Sequence, residues 1–68
     1  MDLQKQLQRA VELDERGEIE AAIACLDEVD GEIPDSAQHL KFVGQLYQRL
    51  GADEKSHRHL VRALEIDP

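Results

Sequence analysis

Apolar residues recur along this chain at helical spacing in four blocks, and glycine or proline punctuates the gaps between them. Leu3, Leu7, Ala10, Val11 and Leu13 spread over one broad face, with Gln4, Gln8, Glu12 and Glu15 turned away. That pattern predicts a first helix over about residues 2–15, opened by Asp2 and closed by Gly17, which is free to take the left-handed conformation that ends a helix. Ile19, Ala22, Ile23, Leu26 and Val29, widened by Ala21 and Cys25, predict a second helix over about 18–30. Glu18 and Glu20 favour its first turn through the helix dipole, and Gly31 and Pro34 are expected to end it. Leu40, Val43, Leu46, Tyr47 and Leu50 share one face of a third helix, about 36–50. Gln38, Lys41, Gln45, Gln48 and Arg49 share the opposite face. Asp35 is the expected N-cap, with Gln38 three residues on as in a capping box. Gly51 repeats the role of Gly17, and Asp53 is expected to cap a fourth helix, 53–66, which carries Leu60, Val61, Ala63, Leu64 and Ile66.

Residues of strand type never alternate with polar ones for more than a few positions, so the predicted class is all-α. Gly44 sits in mid-helix beside the apolar face, where it costs about 1 kcal/mol relative to alanine. The expected reason is close approach of a neighbouring helix.

The blocks repeat at a period of 34 residues. With that offset Gly51 falls on Gly17, Pro68 on Pro34, Leu60 on Leu26, Ala63 on Val29, Leu64 on Asp30, Tyr47 on Leu13 and Gly44 on Ala10. A helix-turn-helix repeated at such a period is the mark of a helical solenoid. In the second copy, Leu40-x-x-Val43-Gly44-x-x-Tyr47 resembles the tetratricopeptide motif Trp-x-x-Leu-Gly-x-x-Tyr. Ala63-Leu64-Glu65-Ile66-Asp67-Pro68 is similar to that family's unit ending. Ser56 stands where a small alanine is usual, and Leu60 where an aromatic is usual. The first copy keeps Gly17, Ala22, Leu26 and Pro34 but has Gln6 and Arg9 at the places of Leu40 and Val43.

The resemblance covers essentially all 68 residues as one domain of two units, 1–34 and 35–68. It implies two hairpins stacked as a short right-handed α-solenoid, and a non-catalytic module that holds a partner peptide or helix in a concave groove. The matching groove positions are Gln4, Leu7, Val11 and Asp14 in the first unit and Gln38, Lys41, Gln45 and Gln48 in the second. Some members of the family grip a C-terminal carboxylate. Lys41 matches one of the positions used for this, whereas Leu7 and Val11 occupy the corresponding first-unit places.

Charge sharpens the expectation about partners. Residues 1–34 hold ten acids against Lys5, Arg9 and Arg16, while residues 35–68 hold five acids against five bases, so the net charge of −7 belongs to the first half. An acidic surface repels phosphate backbones, so no nucleic-acid partner is expected, and a basic protein surface is favoured. No apolar run reaches the roughly 18 residues a membrane span needs, and no charged-then-apolar leader opens the chain. A cytoplasmic location is therefore expected.

Cys25, the one cysteine, cannot form an internal disulfide and is expected to be a buried thiol. His57 and His59 lie two apart on a helix, about 200° around it, and cannot share an ion. No glycine-rich phosphate loop or nucleophile-base set is present, so neither enzyme activity nor a metal or other cofactor is expected. Two units are fewer than the three or so a solenoid usually needs. Leu60, Val61, Leu64 and Ile66 have no further helix to cover them, and are expected to be partly exposed. A homodimer built on those four residues is one expectation, and a piece of a longer scaffold array is the other.

Overall fold

A computed structural model describes residues 2–68. Among them are α1 (Leu3–Glu15), α2 (Ile19–Val29), a single 3-10 turn (Asp30–Glu32), α3 (Ala37–Arg49) and α4 (Asp53–Ile66), with no strand. The chain divides into two units, one ending at Glu32 and the other spanning Ile33–Pro68. Each unit is an antiparallel helical hairpin, α1 with α2 and α3 with α4.

Both hairpins turn by the same device. Gly17 adopts φ +78° and Gly51 φ +82°. The amide after each glycine reaches five residues back, Glu18 N to the Leu13 carbonyl and Ala52 N to the Tyr47 carbonyl, both at 2.9 Å. This closure satisfies carbonyls that the helix end would otherwise leave open. Any other residue at Gly17 or Gly51 would strain the left-handed backbone there.

The helix starts divide the sequence expectations. Asp2 caps α1 as expected, its Oδ1 accepting from Gln4 N at 3.0 Å. Asp35 does not cap α3. The cap residue is Ser36, without a side-chain bond, because the Asp35 carboxylate instead pairs with the Arg62 guanidinium of α4. Both partners are well exposed, so the pair contributes only about 0–1 kcal/mol. Asp53 is likewise the first residue of α4 and not its cap. Ala52 takes the cap position with φ −86° and ψ 69°, nearly the values of Glu18 ahead of α2, because the glycine turn dictates the backbone there. Asp53 and Glu54 still favour the first turn through the dipole. Gly31 is not a left-handed stop either: the end of α2 tightens into the 3-10 turn.

The second hairpin buries Leu40, Val43, Leu46, Tyr47 and Leu50 from α3 against Ser56, His59 and Ala63 from α4. Tyr47 and Val43 are wholly enclosed, each contributing roughly 1.5–3 kcal/mol by leaving water. His59 was not expected in the core. It lies on the same face as Ser56 and Ala63, its ring centroid 5.3 Å from that of Tyr47. Its Nδ1 donates to the Lys55 carbonyl at 2.7 Å, since a carbonyl can only accept. The first hairpin buries Leu7, Ala10 and Leu13 with Ala22, Cys25, Leu26 and Val29. Where its apolar row is broken, polar bonds appear: Gln6 Nε2 donates to Glu28 Oε2, and the Cys25 thiol to the Gln6 carbonyl, both at 3.3 Å.

At Gly44, α3 and α4 approach closely. A Cβ at Gly44 would lie 2.8 Å from both Cγ and Cδ2 of Leu60 and 3.3 Å from the Ser56 carbonyl oxygen. Gly44→Ala gains about 1 kcal/mol of helix propensity. Overpacking at a contact this short should offset that gain, leaving a net loss of up to about 2 kcal/mol in urea unfolding. Gly31→Ala, with open space around its Cβ, serves as the near-neutral control. A Gly44→Ala variant more stable than the parent would refute the close approach.

Candidate functional site

The expected partner-binding positions of α3 form one outward stripe. Gln38, Lys41, Gln45 and Gln48 follow a 3-4-3 spacing, which keeps them within about 80° of one another around the helix. All four are exposed, because the opposite arc of α3 is consumed by the hairpin core. The matching positions of α1 have the same spacing but a different environment. Gln4 is exposed, Val11 and Asp14 are half-buried, and Leu7 is buried at 8% exposure, so it presents little surface to a partner.

Phe42 is the feature that apolar periodicity passes over. It falls about 40° outside the buried arc, whose near edge is Leu46, one turn from both Gln38 and Gln45, and remains 45% exposed. The chain's only phenylalanine therefore stands beside the polar stripe, not in the core. Plotting each apolar residue by angle, and not by type, would have found it.

A second feature borders the stripe. A groove of about 390 Å³ is walled by Ala37, Gln38 and Lys41 of α3 and by Leu60, Ala63 and Leu64 of α4, with Asp67 at its end. Its floor is apolar, and Lys41 and Asp67 place opposite charges at its margin. The outer side of α4 forms a broader depression lined by α4 residues alone, among them Arg58, Val61 and Glu65. With no second wall it cannot enclose a small molecule.

The four residues expected to mediate self-association do not share a surface. Val61 lies on the outer face of α4, and Leu64, about 60° around the helix, stands where that face borders the groove, at 39% and 63% exposure. Leu60 turns inward toward Gly44 and is half-buried. Ile66 is exposed but about 140° around the helix from Val61, and so belongs to another side.

His57 is exposed and His59 is buried in the hairpin, so the two point to different surroundings. Among the described residues, no three of His, Cys, Asp and Glu form a group that could hold a metal ion. No helix among them is long and apolar enough to cross a membrane. No known protein family, curated protein or solved structure matches this chain.

Cys25 is buried, and burial pushes its thiol above the ordinary value of 9.0, reinforced by the nearby Glu28 carboxylate and opposed by the Arg9 guanidinium. A protonated, enclosed thiol is a poor nucleophile. Iodoacetamide should accordingly modify the native chain at least about tenfold more slowly than the urea-unfolded chain. The folded thiol holds its proton to higher pH than the unfolded one. Its contribution to stability is thus complete below pH 9.0 and is lost as pH climbs through the raised value. Cys25→Ala should flatten that alkaline loss, measured by urea unfolding along a pH series. An unchanged slope would assign the loss to other groups.

Proposed function

We propose that this chain is a non-catalytic protein-interaction module of tetratricopeptide type, and that it holds a partner peptide or helix on the exposed face of α3. The observation that carries the reading is the contiguous stripe of Gln38, Lys41, Gln45 and Gln48, with the exposed Phe42 beside it. Long polar side chains on a helix supply adaptable hydrogen bonds, and a neighbouring aromatic supplies the apolar anchor on which protein interfaces concentrate their binding energy. Support for the family reading comes from the residues that carry the resemblance. Leu40, Val43, Gly44 and Tyr47 are all among the residues α3 buries, and Leu60 of α4 packs close against Gly44.

Stacking of the two hairpins as a short right-handed solenoid belongs to this reading, as does a cytoplasmic location for a chain whose cysteine is free and buried. The surplus of acids in the first half favours a partner with basic residues. A nucleic-acid partner is disfavoured on the same ground. A second reading, self-association, is favoured by the 63% exposure of Leu64, the highest among the exposed large apolar residues.

Selection of a displayed peptide library on the full chain, followed by amide-shift mapping of the winners, tests the first reading. Shifts should centre on α3 between Gln38 and Gln48. Lys41→Ala with Gln45→Ala should weaken binding about tenfold or more while helicity stays unchanged, and Phe42→Ala should do at least as much. Shifts confined to the α1–α2 hairpin would move the site to the acidic half and overturn this placement.

A further inference from the structure

We infer that two copies of this chain pair antiparallel through the outer face of α4, with Val61 and Leu64 as the seam and Arg58 of each copy paired with Glu65 of the other. The inference rests on the self-association reading and gives it a geometry. Arg58 and Glu65 are seven residues apart, two turns or roughly 10 Å along the helix, and lie about 20° from each other around it. They therefore sit on one line beside the Val61–Leu64 strip, with opposite charges at its two ends.

Such a line is self-complementary under a two-fold rotation. An axis passing between Val61 and Arg62 brings Glu65 of the second copy level with Arg58 of the first, and the reverse pair forms at the other end. The same axis sets Val61 against Val61 across the centre. Leu64 of one copy then drops between His57 and Val61 of the other, all three being exposed on that side of α4. A parallel pairing would oppose Arg58 to Arg58 and Glu65 to Glu65. Charge thus selects one orientation, while the apolar seam supplies attraction. Arg62, the neighbouring cation, is already engaged by Asp35 of its own hairpin and does not disturb this arrangement.

A helix of 14 residues, about 21 Å long, covers little area against a single partner helix. The pair belongs at the small end of interface sizes, so it should assemble between roughly 10 µM and 1 mM and not at nanomolar concentration.

Sedimentation velocity and light scattering across that range should show the mass rising from 7.7 kDa toward twice that value. Leu64→Asp should hold it at the monomer. Arg58→Glu alone, or Glu65→Arg alone, should raise the dissociation constant about tenfold by placing two like-charge pairs at the ends of the seam. The two single variants mixed should form a heterodimer, and the double variant carrying both changes should recover the parent's self-association. Far-UV circular dichroism on each variant checks that the exposed substitutions leave the helices intact. A parent chain that stays monomeric throughout overturns self-association itself. A dimer that forms but ignores the charge exchanges leaves self-association standing and overturns this antiparallel α4 seam.

Discussion

The second hairpin depends on the absence of a side chain at Gly44. Leu60 seats directly against the α3 backbone there, closer than any Cβ would permit. That approach lets Tyr47 leave solvent entirely and bring its ring against His59. Interiors of this density transmit small misfits, because their side chains have little free volume in which to adjust. The same contact fixes what each helix shows to the outside. Once α3 has committed Leu40, Val43, Leu46, Tyr47 and Leu50 inward, its remaining arc must carry Gln38, Lys41, Gln45, Gln48 and Phe42. Once α4 has turned Ser56, His59 and Ala63 inward, Val61 and Leu64 must face water. Inner fit and outer display are two sides of one geometry.

The first hairpin meets the same steric problem with different chemistry. Ala10 occupies the place of Gly44 and is completely buried, and Leu26 occupies that of Leu60 and is also completely buried. Its inner row is interrupted at Gln6, which joins α1 to α2 by hydrogen bonds with Glu28 and Cys25. Bonds of this kind contribute about 1 kcal/mol or less apiece, against the larger gain from an enclosed leucine or valine. The net negative charge of the whole chain also falls in this half. The second hairpin is therefore better supplied with apolar cohesion, and the first with surface charge.

Helix existence and type were legible because four apolar stripes recur at one period and two glycines sit at the positions where left-handed backbone is required. The purpose of Gly44 was legible for a related reason: a glycine in a periodic helix needs a packing explanation. The caps were less legible. Asp35 has good capping chemistry, but a cation two turns into another helix, Arg62, competes for its carboxylate, and sequence spacing does not register that contact. His59 went unassigned because it was weighed only as a metal ligand, although helical spacing puts it on the face of Ser56 and Ala63. Phe42 was passed over because it falls outside the apolar stripe by which the third helix was read. The exposed stripe of α3 followed directly from periodicity, whereas the separation of Ile66 from Val61 and Leu64 follows only from treating α4 as one continuous helix.

The two glycine turns also bear on how the chain reaches this structure. Each closes a hairpin over a connection of only three residues, so bringing the two helices together carries little loop-closure entropy. The contacts within each hairpin are separated by short stretches of sequence. Helical folds of such low contact order reach their native state in microseconds to milliseconds. Proline isomerisation aside, this chain has no slow long-range pairing to wait for within either unit. Gly17 and Gly51 therefore act as kinetic devices as well as structural ones: they make assembly of each hairpin a local event, complete before an unfolded segment has much time to meet a neighbour.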